Sequence, residues 1–62
     1  MDSLKTKFQQ IYANLPLSQR QQVVVVVDNE PLSWNAANLE IDQDTDKGKQ
    51  ILGILVKLGI VK

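Results

Sequence analysis

Along the first fifteen residues the apolar side chains Leu4, Phe8, Ile11, Tyr12 and Leu15 recur at spacings of four, three, one and three. This spacing lines one face of an α-helix and predicts a helix over residues 3–14. Asp2 or Ser3 can cap its free amides, and Pro16 stops it by disfavouring helical geometry at Leu15. The pattern then changes. Ser18 followed by Gln21 has the spacing of a capping box, but five consecutive valines come next, and a β-branched side chain is stiff at its first torsion and favours a pleated strand. Residues 18–22 are therefore read as at most one helical turn and residues 23–27 as a strand, apolar on both faces and so expected to be covered on both. The alternative is a wholly buried helix over residues 19–27, which would make the domain an all-α four-helix bundle.

Beyond the valines, the segment DNEP reads as a turn. Asp28 and Asn29 tolerate left-handed geometry, and Pro31 fixes its own backbone angle. Residues 32–34 can return as a short edge strand, or Ser33 can already cap a helix. Trp34, Ala37 and Ile41 recur at helical spacing and predict a second helix over residues 34–41. A last helix begins after Asp44 or Thr45 as cap, with Asp46 in its first turn and Lys57 near its end, each complementing the helix dipole. Its apolar face is Ile51, Leu52, Leu55 and Leu58, and Gly59 has the position of a left-handed stop. Gly48 and Gly53 each cost about 1 kcal/mol relative to alanine and are expected where another backbone approaches closely. The tail Ile60, Val61, Lys62 is apolar enough to pair with the valine strand.

The sum of these elements is an α+β fold in one small domain, residues 1–62: an N-terminal helix, a valine strand or short hairpin, and two C-terminal helices. At this length the apolar area buried on folding only just offsets chain entropy, so the domain depends on dense packing or on a partner. The chain has no cysteine and no histidine, which removes disulfides and the common zinc sites. Its composition, 44% hydrophobic and 23% charged, is that of a folding domain rather than a disordered tail. No stretch reaches the roughly 18 to 20 apolar residues of a bilayer span, and the polar N-terminal residues lack the apolar segment of a signal peptide, so a cytoplasmic protein is expected. The amide load, eleven Asn and Gln residues, points to a source living at moderate temperature.

The net charge is zero, yet the charges are segregated. Residues 28–46 carry Asp28, Glu30, Glu40, Asp42, Asp44 and Asp46 with no base, whereas residues 47–62 carry four lysines with no acid. The alternating Asp42, Asp44 and Asp46 resemble the opening of a calcium-binding EF-hand loop, but Lys47 stands where that loop needs its glycine and Gly53 where it needs its bidentate acid. No metal site and no cofactor are expected, and the acids are read as helix-capping charges. General bases and nucleophiles would have to come from Asp, Glu, Lys, Ser or Tyr, and none is paired at an activating spacing; no glycine-rich phosphate loop is present. An enzyme is not expected.

The order helix, valine strand, helix, turn, helix and then LGIV resembles a winged-helix DNA-binding domain shortened before its wing, over most of the chain. That resemblance implies nucleic-acid contacts from Lys47, Lys49 and Gln50, against which Asp42, Asp44 and Asp46 would repel phosphate. The stretch LPLSQRQQVVVVVDNEPLSWNAANLEI is similar to short archaeal proteins of unassigned function, and this likeness transfers no site residues. The leading expectation is a non-enzymatic protein-interaction module. A domain this small leaves an edge of its strand unpaired, so Val23, Val25 and Val27 are expected to form an association edge for a protein partner or a weak homo-oligomer, with nucleic acid the less favoured partner and a membrane not expected.

Overall fold

The computed structural model describes residues 4–61. The first helix, α1, spans Leu4–Ala13; the caps expected at Asp2 or Ser3 lie outside the described residues. Its end is closed by tight turn bonds from the Asn14 amide to the Ile11 carbonyl and from the Leu15 amide to the Tyr12 carbonyl, both 3.1 Å. Arg20 completes the stop. Its guanidinium donates to the carbonyls of Tyr12 and Ala13, each at 3.2 Å, and lies 4.5 Å from the centre of the Tyr12 ring. A cation thus sits on the negative end of the helix dipole and on an aromatic face at once.

The single turn α2, Leu17–Arg20, starts on Pro16 as its cap residue and has no side-chain cap. The Ser18 capping box does not form, because the helix begins at Leu17, two residues before the start that a Ser18 cap requires. The valines form strand β1, Val23–Val27, and the chain returns as β2, Glu30–Ser33, in an antiparallel hairpin. Asp28 and Asn29 have φ of 52° and 66°, the two left-handed residues of the turn type that suits the strand twist.

Ser33 serves twice, ending β2 and capping α3, Trp34–Asp42, where its hydroxyl accepts from the Ala36 amide at 3.1 Å. Thr45 caps α4, Asp46–Lys57, by accepting from the Gly48 amide at 2.9 Å. Both helices stop in the same way. After α3 the amides of Asp44 and Thr45 reach back to the carbonyls of Ile41 and Glu40; after α4 those of Gly59 and Ile60 reach back to Val56 and Leu55. Each stop needs one left-handed residue, supplied by Gly59 with φ 78° and by Asp44 with φ 57°.

The fold is α+β, with one face of the hairpin resting on α3 and α4 and α1 packed across α3. Phe8, Val25, Val27, Leu32, Ala37, Ile41, Ile51, Leu55 and Val61 are the buried core. Phe8 stacks on Trp34 with ring centres 5.7 Å apart, which ties α1 to the start of α3. The helix pair is closest at Gly48, where an added Cβ would stand 2.5 Å from the Glu40 carbonyl oxygen. Gly53, by contrast, faces open space, so the close-approach expectation applies to Gly48 alone.

Three further expectations are corrected. Leu58 is exposed: it is the cap residue on which α4 ends, and after the reversal at Gly59 it is Val61 that fills the core beside Leu55. The tail does not pair with the valine strand: the amides of Ile60 and Val61 both donate to the Leu55 carbonyl, at 3.0 and 3.3 Å. Residue 62 lies outside the described residues. Nor is the valine strand covered on both faces, since Val23 and Val26 keep 59% and 56% of their surface in solvent.

Candidate interaction surface

The two-residue turn fixes which hairpin groups face inward. Val27 and Glu30 close the loop as a hydrogen-bonded pair, so the next pair, Val26 opposite Pro31, points its backbone groups out of the ladder. Pro31 fits there because it has no N–H to leave unmatched. Val25 and Leu32 then pair inward again. Between Val23 and Val25 the register slips by one residue, so Val24 is a bulge. The amide of Trp34 donates to the Gln22 carbonyl at 3.1 Å and holds the strands together beyond the bulge.

The bulge explains which valines are buried. Strict alternation would put Val23, Val25 and Val27 on one face. Instead Val24, Val25 and Val27 face the core, and Val23 and Val26 face solvent with Pro31. Of the three residues expected to form an association edge, only Val23 offers its side chain; Val25 and Val27 are each 4% exposed and belong to the fold. The residue that sequence reasoning missed is Val26. The Asp28–Asn29 turn and the proline at 31 do mark position 26 as outward in its hydrogen bonding, but a run of identical residues has no pattern from which to read a bulge.

Two strands make up the sheet among the described residues. The outer edge of β1 therefore carries the free N–H and C=O of Val26, while the matching place on β2 lacks a donor.

The residues that the winged-helix resemblance singled out lie on the first two turns of α4. Lys47 is solvent-accessible but paired: its Nζ donates to Glu30 Oε1 at 2.8 Å, and that hydrogen bond, with the attraction of the Glu30 carboxylate, raises its pKa above the usual lysine value. Lys49 and Gln50 are exposed. The acids around them are partnered within the fold. Asp44 binds Lys5 at 3.1 Å, Asp42 accepts from Gln9 at 3.3 Å, and Glu40 Oε1 accepts from the Thr45 hydroxyl at 2.6 Å. Among the described residues no three metal-ligating side chains converge, no pocket opens, and no helix is long and apolar enough to cross a membrane. No protein-family model, curated protein or solved structure matches the chain.

Proposed function

We propose that this chain is a non-enzymatic protein-interaction module that docks through the outer side of its hairpin. The observation that carries the reading is the placing of Val23, Val26 and Pro31 in solvent on a hairpin whose β1 edge has no strand beside it among the described residues. In a hairpin covered on one face, the solvent face is ordinarily polar. Here two half-exposed valines and a proline take those places, and an unpaired edge is a template for another strand. A cytoplasmic setting, expected from the sequence, belongs to the same reading.

The test compares proteins captured from a source lysate by the wild type and by Val26→Lys, with unchanged circular dichroism as the control for folding. Partners lost with the variant support the reading; identical capture by both proteins, or capture by neither together with no self-association of the wild type, counts against it.

Nucleic-acid binding is the second reading, favoured by the exposure of Lys49 and Gln50 on a helix that follows a tight turn. Duplex DNA added at two salt concentrations decides it. Shifts at the amides of Lys49 and Gln50 that weaken steeply with salt would support it, because neutralised phosphates release counterions.

A further inference from the structure

We propose that the occupant of the β1 edge is a second copy of this chain, paired β1 against β1 in antiparallel orientation about a two-fold axis at Val26. Two hairpins would then form one four-stranded sheet. The proposal rests on the reading of the hairpin as a docking surface and deepens it by naming the partner.

The two edges of the hairpin are unlike. Val26 presents both a donor and an acceptor outward, whereas the outward place on β2 is Pro31, which cannot donate. Growth of β1 of one copy onto β2 of the next would lead to an open fibre, and the proline opposes it. Pairing of β1 with β1 uses the one competent edge of each copy and closes at two.

The burial pattern also selects the register. With Val26 opposite its counterpart, Val25 of each copy stands opposite Val27 of the other, so outward residues meet outward residues and core residues meet core residues. A slip of one residue would set Val26 against a core valine. A slip of two would set it against Val24, which the bulge has turned toward the core, or against Asp28, whose φ of 52° takes it out of the strand.

Charge agrees with this arrangement. Residues 21–27 carry no charged side chain, and the first charge after the strand is Asp28. Antiparallel pairing keeps the two Asp28 residues about 13 Å apart along the strand direction. Parallel pairing would set like charges side by side. A net charge of zero adds no long-range repulsion between copies. Three residues pair on each side, a contact well below the roughly 800 Å² per partner of a stable complex, so the dimer is weak and reversible.

Two charge variants at the axis test the pairing by sedimentation equilibrium. Val26 is exposed, so Val26→Lys and Val26→Glu keep the fold, which their amide spectra would verify. The wild type is expected to approach twice the monomer mass by about 1 mM. Each variant alone, with like charges across the axis, should stay monomeric, and an equimolar mixture of the two should associate again. In the wild type, exchange of the Val26 amide should slow at least tenfold from dilute to concentrated protein. A monomeric wild type, variants that associate as it does, or a mixture that stays monomeric would each overturn the pairing. If the wild type is monomeric and yet captures other proteins in a Val26-dependent way, the pairing fails while the docking reading stands; if there is neither association nor Val26-dependent capture, both fail.

Discussion

The helix pair α3–α4 and the hairpin β1–β2 hold their inner faces in different ways. The helices approach until backbone touches backbone at Gly48, and Ala37, Ile41, Ile51 and Leu55 on the faces that meet the core are almost wholly buried, while Leu39 and Val56 on their outer sides stay exposed. In the hairpin one face is buried to the same degree and the other keeps Val23 and Val26 in water. The difference separates residues that specify the fold from residues the fold leaves free. Apolar side chains spent on packing are accounted for by stability alone, and Val23 and Val26, left outside beside Pro31, are the ones on which the proposed docking reading rests.

The largest effect that can break this comparison is at the helix contact. In Gly48→Ala the new methyl would stand 2.5 Å from the Glu40 carbonyl oxygen and 2.8 Å from its carbon, so the helices must separate. Urea denaturation should show a loss of about 2–3 kcal/mol, and a loss near zero would mean that α3 and α4 are not so close. Next, Val27→Ala should cost about 2 kcal/mol by opening the core, while Val26→Ala should change stability by less than about 0.5 kcal/mol in dilute protein. Equal costs at the two positions would erase the distinction between the faces.

A smaller effect, of opposite sign, tests the second glycine of α4. Gly53 has open space where a Cβ would go, so Gly53→Ala should raise stability by up to about 1 kcal/mol through helix propensity alone. Destabilisation there would reveal a neighbour that the fold does not show.

The smallest effect concerns the ion pair that joins the two regions, Lys47 on α4 and Glu30 on β2. The folded state raises the pKa of Lys47, so the pair contributes fully below the ordinary lysine value of 10.5 and is lost as pH rises through the higher folded value. The stability difference between the wild type and Lys47→Met should be small at neutral pH and should shrink above pH 10.5. A difference that persists undiminished at about pH 12 would assign the effect to something other than charge.

Most of the fold was legible because its signals are local. The helical spacing of Phe8 and Ile11, the caps Ser33 and Thr45, the left-handed stop at Gly59 and the turn at Asp28 and Asn29 each act within a few residues, and the structure uses all of them. Asp44, one of two candidate caps for the last helix, instead supplies the left-handed residue that ends α3. Asp tolerates that geometry better than most residues, which is the signal that could have found it. Leu58 and Val61 were misplaced for a related reason: the reversal after α4 sets which of them returns to the core, and that depends on where α4 ends relative to the hairpin. Gly48 and Gly53 look alike in sequence and differ only in which side of α4 meets Glu40.

The candidate surface was less legible. Identical valines carry no alternation, so the bulge at Val24 and the exposure of Val26 follow only from the pairing with Leu32 and Pro31.

The account rests on β1 having one edge that folding leaves unused, and residue-resolved amide hydrogen exchange in dilute protein measures that directly. The amides of Val25 and Val27, bonded to β2 across a buried face, should exchange slowly, and the outward amide of Val26 between them should exchange orders of magnitude faster. Protection of Val26 equal to that of its neighbours would contradict the account, for it would mean that the chain already covers its own edge.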